Sequence, residues 1–165
     1  MHLAQFAGRE LVLPQPAADF TLKSSDGTDF RLSRQRGDVV VLSFVYSFCP
    51  DVCPTTLVEL SQVRGLLGTG AERVRFAFIT LDPERDTPER FHPYVKAFDA
   101  SFVALLGGAE QLAEMRKAYG VIWRKSCRMM RPEWPLKHAR EVLCLRRTQA
   151  AGGLSMMPGA LVSGF

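Results

Sequence analysis

The strongest pattern in the chain is a short apolar run followed directly by apolar residues at helical spacing. The run, Val39–Val45, is almost continuously apolar and rich in β-branched residues, which is typical of a parallel strand covered on both faces. After residue 54, apolar side chains recur every three or four positions, as they do on one face of a helix. These side chains are Leu57, Leu60, Val63, Leu66 and Leu67. The pattern predicts a buried central strand, a short loop and a helix that packs on the sheet.

Shorter patterns on either side of this unit complete a predicted α/β order. Residues 19–32 hold two alternating segments on either side of an Asp26-Gly27 turn, which predicts a β-hairpin. Residues 74–81 and 102–106 predict two further strands. The remaining predicted elements are a helix that begins at Thr87-Pro88, a helix at residues 109–119 and a strand that begins at residue 121. This order predicts a central, mainly parallel sheet flanked by helices, with right-handed crossovers and an N-terminal β-hairpin.

The composition is that of one soluble globular domain. Of the 165 residues, 47% are hydrophobic and 23% are charged. The sequence has no run of about 18 apolar residues, so we predict no membrane-spanning segment. We also predict no signal peptide, because no basic segment followed by an apolar core begins the chain.

The net charge of +4 is unevenly distributed along the chain. Residues 1–122 hold 13 basic and 15 acidic residues, whereas residues 123–165 hold 8 basic and 2 acidic residues. A basic tail can contact nucleic acid or anionic lipid. This tail lacks interleaved aromatic residues and any recognisable nucleic-acid-binding fold, so we predict no nucleic-acid partner.

Two cysteines follow the predicted central strand. Cys49 and Cys53 are four positions apart, and each precedes a proline. Open α/β sheets usually bind ligands where such strands end. Cys53 is expected at or just before a helix N-terminus, where unpaired N–H groups and the helix dipole favour a thiolate. Since a thiolate binds metal and attacks disulfides, the pair predicts a metal or redox site; the simpler alternative is two buried apolar side chains.

The segment Phe-Cys-Pro-Asp-Val-Cys-Pro-Thr-Thr, which begins at Phe48, resembles the signature of the Sco/SenC proteins. Those proteins are thioredoxin-fold copper chaperones for the binuclear copper site of cytochrome c oxidase. The segment Asp-Pro-Glu-Arg-Asp-Thr-Pro, from Asp82, resembles a second stretch of that family. Thioredoxins have two residues between their cysteines, whereas this chain has three. Peroxiredoxins have a threonine three positions before the reactive cysteine, and this chain has Tyr46 or Pro50 at that position. The resemblance covers residues 9 to about 125 and implies a thioredoxin-like fold.

The resemblance implies that Cys49 and Cys53 bind a copper ion, Cu(I) or Cu(II), with a histidine as the third ligand. Copper(I) is a soft ion that takes thiolate and imidazole ligands readily. Asp51 lies between the cysteines, and Asp82 ends a predicted strand at the same sheet edge. We predict that both acids lie near the site without binding the metal. Asp86 has two interpretations that the sequence supports equally well. It is either a helix cap or loop residue, or a functional acid.

The resemblance ends near residue 126. We predict a thioredoxin-like domain at residues 1–125 and a basic, irregular tail at residues 126–165 that does not match the family, which leaves the C-terminal part of the fold incomplete. A shifted reading frame near Ser126 or a divergent tail would each explain the change. Translation of the gene in its other two frames distinguishes them, since the shift requires a strand-strand-helix ending with a histidine-bearing loop.

Three residues of the tail bear on the metal site. His138 lies within about a dozen residues of the family's histidine ligand, so we name it as the candidate third ligand, although no Asp or Ser flanks it. Cys127 and Cys144 are 17 positions apart, which argues against a four-cysteine zinc site. His92 falls off the apolar stripe of its helix and is predicted to be solvated.

Two functions of different classes remain. The first is a metallochaperone that binds copper through Cys49 and Cys53 and delivers it to the copper-bearing subunit of cytochrome c oxidase. The second is a thiol–disulfide oxidoreductase that reduces the cysteines of that copper site with the same pair. The resemblance implies a location in the cell envelope, on the periplasmic side of the inner membrane, with membrane attachment only through a missing or removed anchor.

Overall fold

The computed structural model of the chain describes residues 15–35, 37–121, 142–147 and 154–157. Within these residues, eight strands form one sheet, and three α-helices accompany it. The strands are β1 (Gln15–Pro16), β2 (Thr21–Ser24), β3 (Asp29–Arg31), β4 (Val39–Val45), β5 (Val74–Thr80), β6 (Val103–Leu106), β7 (Val142–Arg147) and β8 (Leu154–Met157). The helices are α1 (Val52–Leu66), α2 (Pro88–Lys96) and α3 (Ala109–Ala118). No helix among them is long and apolar enough to cross a membrane.

The centre of the sheet is parallel. β4 pairs with β5 from Val39↔Val74 to Val45↔Thr80, and β5 pairs with β6 in the same direction. α1 connects β4 to β5, and α2 connects β5 to β6, so the predicted strand–helix–strand units are present. The strand order across the whole sheet is β1-β8-β7-β4-β5-β6-β2-β3. The predicted α/β class with a parallel centre is confirmed.

The sheet is covered on both faces, as the continuous apolar run at Val39–Val45 predicts. One buried cluster combines alternate side chains of β4 and β5 with residues of α3 and the hairpin; it includes Leu42, Phe44, Ile79, Leu112 and Met115. The other cluster lies between the sheet, α1 and α2; it includes Val45, Cys53, Leu57, Phe78 and Phe91. Cys53 therefore belongs to the packed core on the α1 face.

The N-terminal hairpin forms as predicted. β2 and β3 are antiparallel, and Gly27 in their turn has a φ of 88°, a left-handed conformation that favours glycine. The Ser24 N–H donates to the Thr28 carbonyl at 2.8 Å. β2 also pairs with β6, so the hairpin extends the sheet beside its parallel centre.

The predicted apolar stripe of α1 is only partly buried. Leu57 and Leu60 are buried, but Leu66 is 87% exposed, and Val63 and Leu67 are 41% and 39% exposed. The predicted helix is confirmed, and this last part of its apolar stripe lies outside the core. Helical spacing identifies one face of a helix, but it carries no information on how far along the helix that face is covered.

The tail contributes two strands that the sequence pattern did not predict. β7 pairs antiparallel with β4, with Val41 opposite Cys144, and β8 pairs with β7 and with β1. The expectation of an irregular tail is wrong at these residues, because strand formation depends on a partner edge as well as on local alternation. The predicted strand from residue 121 is absent at Val121, and its later residues lie outside the described ones. The division of the chain at residue 125 stays a prediction.

Candidate dithiol site

The two cysteines lie on the turn that joins the end of β4 to α1. The Cys49 N–H donates to the Tyr46 carbonyl at 3.2 Å, which closes a tight turn directly after the strand. Asp51 occupies the N-cap position of α1 without a side-chain capping hydrogen bond, and Cys53 is the second residue of the helix. Pro54 lies in the first turn, where its missing N–H removes no helical hydrogen bond. The prediction that the pair lies at the strand-to-helix junction is confirmed.

The two sulfur atoms interact with each other. The Cys53 backbone N–H donates to Cys49 Sγ at 3.3 Å. The Cys53 thiol also hydrogen-bonds the Cys49 sulfur. Cys49 is half-buried, whereas Cys53 is only 6% exposed. The site therefore has an accessible sulfur that accepts hydrogen bonds and a buried sulfur that donates one.

This arrangement gives the two thiols opposite acidities. The hydrogen bond from the Cys53 thiol lowers the pKa of Cys49 to about 5, and the backbone N–H groups of Asp51 and Cys53 act in the same direction, against the effect of burial. The same thiol–thiol bond, together with burial, raises the pKa of Cys53. The expectation that the helix N-terminus favours a Cys53 thiolate is wrong, because the helix N–H points at the Cys49 sulfur.

Tyr46 is a third member of the site. Its hydroxyl hydrogen-bonds the Cys49 sulfur. Burial raises the pKa of Tyr46, and the negative charge of Cys49 raises it further. Tyr46 therefore remains a protonated donor that stabilises the Cys49 thiolate.

Asp86 connects the cysteine turn to β5. Its carboxylate is 1% exposed and accepts hydrogen bonds from the Ser47 N–H at 3.2 Å and from Thr80 Oγ1 at 2.6 Å. The Ser47 hydroxyl donates to the same carboxylate. Ser47 is two positions before Cys49, so Asp86 fixes the turn that presents the cysteines. Asp86 is thus a buried organising carboxylate.

Asp82 and Asp51 contact the site in different ways. The Asp82 carboxylate is 2% exposed and forms an ion pair with Arg85. The Arg85 guanidinium lies 4.7 Å from the ring centroid of Phe48, the neighbour of Cys49. Asp51 acts through its backbone N–H, which hydrogen-bonds the Cys49 sulfur. No metal contact of either acid is described, and their placement near a metal stays a prediction.

The histidines give no third ligand among the residues described. His92 is half-buried rather than solvated, and its Nδ1 shares a hydrogen bond of 2.8 Å with Ser25 Oγ. His138 and Cys127 lie outside the described residues, and Cys144 is in β7. Within the described part of the chain, no group of three or more His, Cys, Asp or Glu residues is arranged to hold a metal. Metal binding by Cys49 and Cys53 stays a prediction.

A cleft of about 670 Å³ lies at the same sheet edge as the dithiol. It runs between the hairpin turn and the first residues of α2 and α3, and Asp86 forms part of its wall. The residues shared by this wall and the second sequence motif are Pro83, Asp86, Thr87 and Pro88. Asp86 therefore separates the cysteine turn from a space large enough for a few side chains of another molecule.

Sequence reasoning missed the roles of Tyr46 and Asp86. Tyr46 served only to distinguish this chain from peroxiredoxins, and Asp86 had an ordinary interpretation as a cap. No spacing pattern relates either residue to the cysteines, because Asp86 is 37 positions beyond Cys49. The placement of Asp86 in the loop that follows β5, at the same sheet edge, was the available signal.

The sequence model of the SCO1/SenC family matches residues 12–151, past the boundary predicted at residue 125. A protein of Stutzerimonas stutzeri named as copper-binding is 37% identical over 114 residues, which is 67% of this chain and 56% of that protein. The mitochondrial SCO2 homologue of Bos taurus is 38% identical over 107 residues, 64% of this chain and 40% of that protein. The chain thus spans about half the length of these curated relatives.

Solved structures resemble the fold described above. ScoI of Bradyrhizobium japonicum with copper bound has a TM-score of 0.74 at 29% identity, covering 87% of this chain and 88% of that one. Apo Sco1 of Thermus thermophilus has a TM-score of 0.73 at 34% identity, covering 96% and 89%. The predicted thioredoxin-like fold is confirmed by these similarities.

Proposed function

The chain belongs to the SCO1/SenC family, and from that premise we propose that it binds a copper ion through the thiolates of Cys49 and Cys53. In this proposal, the protein delivers the copper to the copper-bearing subunit during assembly of cytochrome c oxidase. The observation that carries the proposal is the contact between the two cysteines at the sheet edge, where the backbone N–H and the thiol of Cys53 both donate hydrogen bonds to the Cys49 sulfur. Two relatives support it, one named as copper-binding and one solved with copper bound.

The donor set fits a soft monovalent ion. Thiolates select Cu(I) over hard cations, and two sulfurs that already lie against each other need little rearrangement to share one ion. Because the pKa of Cys49 is about 5, this sulfur is already a thiolate at neutral pH. Binding then requires the loss of one proton, from Cys53, to solvent. His138 remains the candidate third ligand.

The test is a titration of the reduced protein with Cu(I) against a competing chelator. We expect one copper per chain in the wild type and loss of tight binding in Cys49→Ala and in Cys53→Ala. The matched control replaces Cys127 and Cys144 by alanine together, which leaves the proposed ligands in place and should leave the affinity unchanged. Copper binding that depended on the control pair, or that survived the loss of Cys49, would contradict the proposal.

His138→Ala in the same titration tests the third ligand. We expect weaker binding with the stoichiometry retained, because the two thiolates remain. An unchanged affinity would remove His138 from the ligand set. The dithiol proposal does not depend on that result.

A second function is supported by the unequal acidity of the two thiols. A half-exposed thiolate next to a buried thiol is the arrangement of a disulfide reductase, since the first attacks and the second resolves the mixed disulfide. In this alternative, Cys49 and Cys53 become a disulfide, and the two cysteines of the oxidase copper site gain the two electrons and two protons. The cleft beside Asp86 offers space for the partner segment.

Single-turnover reduction separates the two functions. Reduced protein is mixed with a disulfide-bonded peptide carrying the copper-site cysteines, and its thiols are counted over time. Fast reduction without tight copper binding favours the reductase, whereas tight copper binding with slow reduction favours the chaperone. By family membership we propose that either activity takes place in the cell envelope, on the periplasmic side of the inner membrane.

A further inference from the structure

Tyr94 packs, from the neighbouring helix, against the buried cluster that contains Cys53. It is half-buried on α2 and joins the same apolar cluster as Cys53, Cys49 and Tyr46. Its ring stacks on Phe91 at a centroid distance of 6.3 Å and meets the ring of Phe98 edge-on at 5.6 Å. These contacts fix the direction of the side chain.

The Tyr94 hydroxyl has no hydrogen-bond partner among the residues that the structure describes, although its oxygen is buried. Both other tyrosines are satisfied, since the Tyr119 hydroxyl donates to the Ala18 carbonyl at 2.7 Å and the Tyr46 hydroxyl bonds the Cys49 sulfur. A buried hydroxyl without a partner is destabilising and is uncommon in native proteins. Its retention therefore needs an explanation.

The charges around this hydroxyl make it a donor. Burial raises the pKa of Tyr94, and the ionisable groups of Cys53, Cys49 and Asp86 nearby raise it further. The phenol thus stays protonated and can donate a hydrogen bond. In the metal-free protein, the Cys53 thiol uses its own proton to bond Cys49. A Cys53 sulfur that binds metal has no proton and instead accepts hydrogen bonds.

We propose that Tyr94 is a positioning residue whose hydroxyl donates a hydrogen bond to the Cys53 sulfur when that sulfur binds metal. The inference rests on the proposed copper-binding function. It explains why an unsatisfied hydroxyl is kept, because its partner exists only in the metal-bound state. Tyr94 and Tyr46 would then each hold one of the two ligand sulfurs.

The test is Tyr94→Phe, which removes the hydroxyl and keeps the ring contacts. In the reduced, metal-free protein we expect a Tm equal to or above that of the wild type, since an unsatisfied polar group is lost. In the Cu(I) competition titration we expect affinity to fall about tenfold or more, a change of about 1.4 kcal/mol. In the Cu(II)-loaded protein the sulfur-to-copper absorption band should move to longer wavelength, because a hydrogen bond no longer stabilises the sulfur electrons.

Tyr119→Phe is the matched control on the opposite face of the sheet. It breaks the bond to the Ala18 carbonyl, so we expect a lower Tm with unchanged copper affinity. A Tyr94→Phe protein with unchanged copper affinity, or with a lower metal-free Tm that shows an existing partner, overturns the inference while leaving the copper function intact. A wild type that fails to bind copper overturns both.

Discussion

Cys49 and Cys53 differ in chemistry because different groups surround each sulfur. The Cys49 sulfur accepts hydrogen bonds from the Cys53 thiol, two backbone N–H groups and the Tyr46 hydroxyl. The Cys53 sulfur is buried and close to the negative charges of Cys49 and Asp86. Cys49 is therefore the first sulfur to meet a metal donor or a disulfide, and Cys53 completes the reaction.

The pH dependence of alkylation tests this order. Because the pKa of Cys49 is about 5, against an ordinary value of 9.0, iodoacetamide should react with Cys49 with a pH midpoint near 5. Cys53→Ala removes the largest cause of the shift, so the midpoint should rise by at least about one pH unit. Cys53→Ser keeps a hydrogen-bond donor and should shift the midpoint less. Equal midpoints in all three proteins would show that Cys53 does not stabilise the thiolate.

Asp86 is the residue whose loss should disturb the site most without touching a sulfur ligand. Asp86→Ala leaves the Ser47 N–H and the Thr80 hydroxyl without their buried acceptor. We expect the free energy of unfolding, measured with urea, to fall by about 2–4 kcal/mol. Asp29→Ala is the comparison, since it removes an exposed ion pair with Lys23 and should cost less than about 1 kcal/mol. Similar losses for both variants would refute the organising role of Asp86.

At the scale of elements, the site depends on the junction of β4 and α1. The strand ends at Val45, the turn closes through the Tyr46 carbonyl, and the helix begins at Val52. The first turn of α1 directs the Cys53 N–H group at the Cys49 sulfur. The Cys49 thiolate therefore gains this hydrogen bond only when the helix has formed. The hairpin contributes indirectly by extending the sheet beside β6.

Two glycine substitutions test the backbone conformations of these elements. Gly27 has a φ of 88° in the hairpin turn, so Gly27→Ala should lower the free energy of unfolding by about 1 kcal/mol or more. Gly65 lies in α1 with open space around its Cα, so Gly65→Ala should raise stability by up to about 1 kcal/mol. Thermal unfolding should show a lower Tm for Gly27→Ala and a higher Tm for Gly65→Ala. A stabilising alanine at position 27 would contradict the turn.

At the scale of the molecule, the tail is part of the sheet that carries the site. β7 pairs with β4 along Val40 to Ser43, on the edge opposite to β5. β8 then links β7 to β1, so both ends of the described chain meet on one side of the sheet. Removal of these strands would expose the backbone edge of the strand that leads to the cysteines.

Truncation tests whether residues 1–125 form a domain of their own. We expect a chain that ends at residue 125 to aggregate or to melt about 10 °C or more below the full chain, because β4 then has an open edge. A chain that ends at residue 157 keeps β7 and β8 and should melt near the full-length value. Circular dichroism and size-exclusion chromatography measure both. Equal melting of the shorter chain would instead confirm the boundary at residue 125.

The sequence by itself determined the elements between residues 19 and 119 and the position of the dithiol. The apolar run Val39–Val45, the Asp26-Gly27 turn and the spacing of Cys49 and Cys53 are local patterns, and the strand, hairpin and strand-to-helix junction follow from them. The family resemblance rests on the same local segments. Local patterns were sufficient there because backbone propensity and periodic burial act over a few residues.

Only the tertiary structure decided which sulfur is acidic, what Asp86 does and where the tail goes. The acidity of Cys49 depends on the burial of Cys53 and on donors aimed at one sulfur, which are properties of packing. Asp86 hydrogen-bonds Ser47, which is 39 positions away in the sequence, and β7 pairs with β4, which is about 100 positions away. Contacts over such separations are set by the whole arrangement of the chain, and a local pattern carries no information about their direction.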